Sequence, residues 1–379
     1  MKRVYILQHR LFHYRVPLFS ALRESLAEMD IELTLIHGQA SPFDREKQDT
    51  GELSWATTVH NRYVRVFGRD LLWQQLPRGV WDADLVIAMQ ENKIISNYWL
   101  QFLWRSRTRL FAYWGHGRNM QSVAPNGLLE TWKAIFVNKA DWWFAYTSTT
   151  SDFLSAGGFP ARKITCLNNA VDVTEFKREL QSVTIAEMRD ARQSLTIQPG
   201  SKVGLYCGSL YVEKRLEDLI LAACKIWSKM ENFQLIVIGD GPQMAYLKEI
   251  SSGLDWVKIV GAKRGREKAV LHRLADFVLC PGALGLQVLD SFAAGLPVVT
   301  LSTSMHGPEF AYLRDNQNSI VVDSGSIDEL ANRAASLLGN AQQLDEMQLT
   351  CRSHSNAYTI ENMVGNFTDG IVRCLAQRK

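Results

Sequence analysis

The stretch with the clearest chemical content is 274–299, LADFVLCPGALGLQVLDSFAAGLPVV. Pro281, Gly282 and Gly285 make a tight turn after the short apolar run Asp276 to Cys280. From Gly285 to Ala294 the apolar residues Leu286, Val288, Leu289, Phe292 and Ala293 follow helical spacing. Gly295 closes that helix, and Leu296 to Leu301 reads as the next strand. Free backbone N–H groups at such a helix start suit an anion, above all a phosphate. The same pattern also describes an ordinary βαβ packing turn with no ligand.

Other constellations offer less. Asp82-Ala-Asp84 has the spacing of a metal-binding acid pair, but it directly precedes a buried strand and lacks a third ligand. Its acids read as polar strand-edge residues. His9 and His13 stand four apart, a zinc spacing on a helix, yet no cysteine or carboxylate adjoins them and Pro17 points to loop. No metal site is expected. No G-x-G-x-x-G follows the first strand, which disfavours a dinucleotide oxidoreductase, and no G-x-x-x-x-G-K-[ST] is present. Residues 98–113 mix aromatics with Arg105, Arg107 and Arg109. Trp and Arg together suit an anionic membrane surface. They equally suit a core helix whose last turn is basic, which the helix dipole favours.

The elements that must position these residues alternate. Strands are expected at 4–7, 31–37, 64–66, 84–89, 109–114, 142–147 and 163–167, with helices from Pro17 to about Glu28 and at 97–105, 127–138 and 151–156. Residues 38–60 read as loop. Residues 172–200 are charged and polar and end in Pro199-Gly200, so they read as the crossover between domains. The alternation then restarts, with strands at 202–207, 234–239, 257–260 and 320–322 around the 274–299 unit. Helices are expected at 216–229, 243–251, 266–274, 327–338, 341–353 and within 360–377. This pitch implies parallel sheets covered on both faces, in an α/β chain of two open domains with a cleft between them. Ligands in such sheets bind at the carboxyl ends of the strands, so a phosphate-bearing ligand is expected in the second domain.

Composition agrees. At 379 residues the chain is too long for one ordinary core. Hydrophobic content of 46% and charged content of 21% describe a folded protein. A net charge of +3 excludes a strongly basic nucleic-acid binder, although it permits a local basic patch. The six cysteines are scattered without a C-x-x-C pair, which reads as buried free thiols in a reducing compartment. The N-terminal apolar run is too short for a signal peptide, and no stretch reaches the roughly 18–20 apolar residues of a membrane span. A cytoplasmic protein is expected.

Seven short stretches then stand in order: Asn169-Ala-Val-Asp172 with Phe176, Gly208-Ser-Leu-Tyr-Val-Glu-Lys-Arg215, Val237-Ile-Gly-Asp-Gly-Pro242, Val260-Gly261, Ala275-Asp276, the 281–286 loop, and Gly307-Pro-Glu309. In that order they resemble the retaining glycosyltransferases of family 4 (glycosyl transferases group 1), over about 169–330. The first half matches chiefly at Tyr14-Arg-Val-Pro-Leu-Phe19 and Trp114-Gly-His-Gly117, and resembles members that build bacterial surface polysaccharides. The resemblance implies the GT-B fold, two Rossmann-like α/β/α domains facing across a cleft. Its parts would be an acceptor-side domain at 1–175, a nucleotide-sugar domain at 176–358 and a terminal helix, 359–379, crossing back to the first.

The resemblance also implies roles. Lys214 matches the lysine that holds the donor diphosphate, and a flexible ammonium suits phosphate oxygens. Asp290 matches the second acid of the family's E-x7-E pattern, which takes hydrogen bonds from the nucleotide ribose; an acid there also suits the helix dipole. The amides of Ala283, Leu284, Gly285 and Leu286 would cradle the phosphate, with Gly208, Ser209 and Gly261 in the matching donor-side stretches. His116 matches the histidine beside the transferred sugar and would orient it. Two positions depart from the pattern. The first acid falls on Gly282, and the arginine five residues before the lysine is Ser209. Arg215, or Arg10 and Arg15 from the first domain, would supply the missing cation, and Glu309 the missing acid if its loop turns inward. The first βα loop lacks the Gly-Gly of many members and offers His9, Arg10, His13, Tyr14 and Arg15 instead.

The implied activity is metal-independent transfer, with retention, from a nucleotide-diphosphate sugar to a glycan or lipid-linked acceptor in surface-polysaccharide synthesis. It would take place in the cytoplasm or at the inner face of the membrane, with no cofactor beyond the donor. A non-catalytic GT-B subunit binding a nucleotide or glycan is the alternative that Gly282 and Ser209 motivate. A nucleotide-sugar epimerase is a third, less favoured by the second-half motifs.

Overall fold

The apolar runs of the first half become parallel strands. The computed structural model describes residues 1–41, 49–66, 69–104, 109–117 and 139–377. It divides into two units, Met1–Asp172 with Thr359–Lys379, and Val173–Tyr358.

The first unit carries β1 (Lys2–Arg10), β2 (Ile31–Gly38), β3 (Thr57–Thr58), β4 (Asn61–Val66), β5 (Arg69–Gln74), β6 (Leu85–Met89), β7 (Leu110–Gly115), β8 (Trp142–Ala145) and β9 (Ile164–Cys166). Seven of them form one parallel sheet in the order β3-β2-β1-β6-β7-β8-β9. The chain leaves β1 toward β2 and returns to lay β6 on its other side, so the topological switch point lies between β1 and β6. Pro17 sits in the first turn of the helix Val16–Ala27, which buries Leu18, Phe19, Leu22 and Leu26. The terminal helix Ile360–Ala376 belongs to this unit: Phe367 packs its ring 5.1 Å from Trp114 and 4.6 Å from Phe144.

Two expectations fail here. The 64–66 run is no strand of the parallel sheet. It belongs to β4, which pairs antiparallel with β5 in a separate hairpin, because Asn61, Leu72 and Gln74 face inward while the alternate residues face out. Residues 57–58 of the expected loop pair with β2. The expected helix 127–138 lies outside the described residues, as do Arg105 and Arg107.

The second unit carries β10 (Lys202–Cys207), β11 (Phe233–Ile238), β12 (Val257–Gly261), β13 (Phe277–Leu279), β14 (Val298–Leu301) and β15 (Ser319–Val322). They form a parallel sheet in the order β12-β11-β10-β13-β14-β15, with its switch point between β10 and β13. Phe233 and Phe277 on its strands and Phe292 on the helix Gln287–Ala294 are fully buried, each worth about 1.5–3 kcal/mol.

Residues 172–200, expected as the crossover between domains, begin where the two units divide and are largely helical. They form the helices Thr174–Ser182 and Ile185–Ser194, the second opened by a Thr184–Glu187 capping box. Arg266, on the helix Gly265–Leu274, pins both: it donates to Glu179 Oε2 at 3.2 Å, Ser182 O at 2.7 Å and Glu187 Oε2 at 2.7 Å. A polar composition here reflects an ionic clamp.

Candidate functional site

The site is built from two loops that leave the neighbouring strands β10 and β13 at their carboxyl ends, the switch point where open α/β sheets bind ligands. The first loop runs from Gly208 to Arg215 and enters the helix Leu216–Trp227. The second runs from Cys280 to Leu286 and enters the helix Gln287–Ala294, which Gly295 ends in the left-handed region.

The two loops touch along their backbones. Ala283 N–H donates to Glu213 O at 2.9 Å. A Cβ on Gly282 would stand 2.2 Å from Lys214 O and 2.6 Å from Lys214 Cα, so no side chain fits there unless the main chain moves. Gly239, after β11, is required by a similar approach, since its Cβ would stand 1.9 Å from Gly208 O. The missing acid at position 282 is therefore a consequence of how closely the lysine loop packs.

Lys214 crosses the mouth of the second loop. Its Nζ donates to Ala283 O at 2.5 Å and to Gln287 Oε1 at 3.1 Å, beside the helix start. The amides divide differently from expectation. Ala283 N–H is committed to Glu213, and Leu284 N–H donates to His306 Nδ1 at 3.1 Å. The N–H groups of Gly285, Leu286 and Gln287 have no acceptor among the described residues. The amides still open at this helix start are thus those of 285–287, whereas 283 and 284 are already bonded. His306 is neutral: Nε2 donates to Leu301 O at 2.6 Å, leaving Nδ1 to accept. Burial pushes its pKa down to about 4, with the Leu301 carbonyl opposing and Lys214 adding to the shift.

Glu309 lies in a short turn after Gly307, whose N–H donates to Leu284 O at 2.7 Å. The turn faces inward. Glu309 is buried, and its Oε2 lies 3.9 Å from where a Cβ on Gly285 would stand. Asp290 is one turn into the helix and accepts from Lys268 Nζ at 2.8 Å. Arg215, in the left-handed region, donates to Asp218 Oδ2 at 2.6 Å and to Ser304 Oγ at 3.2 Å, so most of its charge is already matched. Ser304 in turn donates to Pro281 O at 2.7 Å. Gly208 adjoins Gln287, and Ser209 is exposed. Gly261 ends β12, two strands from β10, and accepts from Gly239 N–H at 2.9 Å.

The first unit gathers its own polar group at the β1/β6 switch point. His9 is the last residue but one of β1, Glu91 follows β6 and His116 follows β7. Glu91 lies 3.4 Å from His9 Nδ1 and 2.9 Å from Lys93 Nζ. Burial would raise the Glu91 carboxyl, but His9, Lys93 and His116 outweigh it and hold it below the usual range. The His116 ring is 4.5 Å from that of Tyr146. Burial takes its pKa down to about 4, opposed by Glu91 and reinforced by Arg15. Arg10 is held bidentately by Asp49 at 2.6 and 3.2 Å, and so is not a spare cation. Arg15 is buried, donates to Asn169 Oδ1 at 2.7 Å and lies over the rings of Tyr14, Trp114 and Tyr146. His13 faces Asp49 O at 3.2 Å. Asp84 accepts from Arg3 N–H at 2.9 Å and from Lys2 at 3.3 Å, a strand-edge role. Among the described residues, no group of three or more His, Cys, Asp or Glu is placed to hold a metal.

Residues 201–340 match the family model of the glycosyl transferases group 1. The chain carries a group 1 glycosyl transferase domain. That domain contains both loops of the site. The GDP-mannose-dependent alpha-(1-6)-phosphatidylinositol monomannoside mannosyltransferase of Mycobacterium tuberculosis is 30% identical to this chain over 209 residues, 52% of this chain and 51% of that one. The alpha-monoglucosyldiacylglycerol synthase of Streptococcus pneumoniae is 28% identical over 135 residues, 34% and 30% of the two chains. The alignments thus span about half the length of these curated relatives or less. Among solved structures, Anabaena HepE in complex with UDP superposes with a TM-score of 0.68 at 15% identity, over 98% of this chain and 100% of that one. Sucrose-phosphate synthase of Thermosynechococcus elongatus does so with a TM-score of 0.67 at 14% identity, over 100% of both. The fold is GT-B.

Sequence reasoning missed Gln287, Lys268, His306 and Glu91. Gln287 alone had a local signal, lying two residues past Gly285 at the helix start. The others act through partners that are distant in the chain.

Proposed function

We propose that this chain is a retaining, metal-independent glycosyltransferase that moves a sugar from a nucleotide-diphosphate donor to a glycan or lipid-linked acceptor. The observation that carries the reading is Lys214, held across the switch-point loop by Ala283 O and Gln287 Oε1 beside three open amides. An ammonium and helix-start N–H groups in one place stabilise a departing diphosphate without a metal. Asp290 would take the ribose hydroxyls, exchanging its bond to Lys268. Glu309 would face the donor sugar where the family's first acid is missing. His116, neutral above about pH 4, would orient the transferred sugar as a hydrogen-bonding group rather than act as a strong base.

The acceptor class is supported by relatives whose names include a phosphatidylinositol mannoside and a glucosyldiacylglycerol. Among the described residues no helix is long and apolar enough to cross a membrane. A lipid-linked acceptor would be met at the inner face of the cell membrane, and surface-polysaccharide synthesis is the process this reading serves.

The test is a binding and turnover screen against UDP-, GDP-, ADP- and dTDP-sugars with Lys214→Ala alongside. Loss of one charged hydrogen-bonding group is expected to weaken donor binding roughly ten- to hundred-fold. Intact donor turnover in the variant refutes the assignment. The absence of an acid at Gly282 favours one second reading, a non-catalytic nucleotide- or glycan-binding subunit. It would show donor binding with neither transfer nor hydrolysis.

A further inference from the structure

The helix Ile185–Ser194 buries none of its residues, yet a capping box fixes its first turn and Arg266 holds its Glu187. Ordering such a helix costs conformational entropy that its own packing does not return. Its other face shows what the order serves. Ile185, Met188, Arg189 and Arg192 follow at i, i+3, i+4 and i+7, and with Ile197 and Pro199 of the next turn they line a groove of about 600 Å³. Ile185 is 74% exposed. Glu187 and Asp190 lie off this face, and none of the residues lining the groove is acidic. Gly200, at the end of the groove, comes two residues before β10 begins. The groove therefore stands at the amino ends of the strands, the opposite edge from the donor loops.

We propose that this groove binds a short acidic segment of a partner protein, anchored by an apolar side chain. Charge selects the occupant. Arg189 has no hydrogen-bond or ion-pair partner among the described residues. Arg192 reaches Gln198 O at 3.5 Å, the outer limit of a hydrogen bond. Lys258 adds a third cation at the end of the groove, its Nζ donating to Thr196 Oγ1 at 2.9 Å. Asp276, which feels the Arg192 charge, already accepts from Val203 N–H at 2.7 Å and faces Lys202 at 4.0 Å. Two guanidinium groups on successive turns of one helix face suit a pair of carboxylates. Ile185, Met188 and Ile197 would receive the anchor, in the arrangement of arginine around an apolar centre that protein interfaces favour. Shape selects a peptide. The walls come from one helix face and one turn, so the groove cannot enclose a small anionic molecule as a ligand pocket does. Gln193 and Gln198 in its lining offer both donors and acceptors to a peptide backbone. A second copy of the same groove would set arginine against arginine across a two-fold axis. The inference is independent of the donor reading and shares no residue with it.

The experiment pans displayed random peptides of about ten residues, the length of the helix, against the intact chain. Peptides that combine Asp or Glu with a neighbouring Leu, Ile or Phe should be enriched. Synthetic copies of those peptides, titrated by fluorescence anisotropy, should bind less tightly as salt is raised. Arg189→Gln with Arg192→Gln should lower their affinity roughly ten- to hundred-fold. Ile185→Ser should lower it roughly three- to ten-fold. Both variants should keep the unfolding temperature and donor affinity of the parent. No enrichment of acidic peptides, or enriched peptides that bind the double arginine variant as tightly as the parent, overturns the proposal. So does competition between these peptides and a nucleotide sugar, which would place them at the donor loops. A concentration-dependent dimer that Ile185→Ser dissolves, in the absence of peptide binding, overturns it as well. Donor binding measured on the same samples stands or falls separately.

Discussion

Restoring the family's acid by Gly282→Glu should damage this protein rather than improve it. The side chain would begin with a Cβ placed 2.2 Å from Lys214 O and 2.3 Å from its carbonyl carbon. Carbon–oxygen contacts relax only near 3.3 Å, so the Lys214 main chain must retreat by about 1 Å. That chain is tied to the same loop by the Glu213 O to Ala283 N–H bond at 2.9 Å and by Lys214 Nζ to Ala283 O at 2.5 Å. Overpacking of this kind costs about 1–3 kcal/mol, and strain on the lysine contacts brings the expected loss to about 3 kcal/mol. For a unit of this size the melting temperature should fall by roughly 6–12 °C. Because the clash begins at Cβ, Gly282→Ala should already show most of the fall. Scanning calorimetry and donor titration of both variants provide the assay, and donor affinity should drop together with stability. A Gly282→Glu protein that melts with the parent and transfers sugar faster would refute the reasoning, and would mean that the two loops separate easily.

Glu309→Gln keeps the shape of the inward turn while removing the charge, and should lower turnover roughly hundred-fold with donor affinity little changed; unchanged turnover would remove Glu309 from the mechanism. Arg266→Met should release the helices Thr174–Ser182 and Ile185–Ser194, seen as faster hydrogen exchange across 174–194 while 298–301 stays protected. The same variant tests a pH effect. Hydrogen bonds from Arg266 and from the Thr184 N–H hold the Glu187 carboxyl down near 2. Its stabilisation is present above the ordinary carboxylate pKa and is lost as pH falls toward 2, a slope the variant should flatten. His116, His272 and His306 are each held down to about 4, first of all by burial. An unfolded chain takes up protons near pH 6.5 that these rings refuse, so urea midpoints should decline from pH 6.5 to 4. A flat profile there would show that the rings are not buried as neutral groups.

What the sequence made legible is whatever short-range chemistry dictates. The buried parallel strands read as uninterrupted apolar runs, and Pro281, Gly282 and Gly285 announced their turn because backbone geometry restricts those positions to a few residue types. The failures share one cause, which is that the deciding partner lies far away in the chain. The helices within 172–200, which begin where the units divide, went unread because Ile185–Ser194 buries no residue and owes its order to capping and to Arg266, 79 positions beyond Glu187. The hairpin was half seen because an arginine at every third position of β4 dilutes the alternation that marks a strand. The open amides were placed two residues early because nothing local reveals that Ala283 and Leu284 already donate to Glu213 and His306.

The absence of an acid at 282 shows the same limit from the other side. From the sequence it was a missing carboxylate and an argument for lost activity. In three dimensions it is the contact that brings Lys214 across the loop, with Glu309 buried on the loop's other flank beside Gly285. A glycine that admits a closer lysine and a carboxylate delivered from a different turn are two parts of one arrangement. The acid cannot return to position 282 without displacing the cation, so on the proposed reading the site exchanges one way of holding charge for another. Whether the exchange preserves transfer is decided by Glu309→Gln and Gly282→Glu together: catalysis by this arrangement requires both to be inactive, whereas a binding subunit would lose nothing from the first.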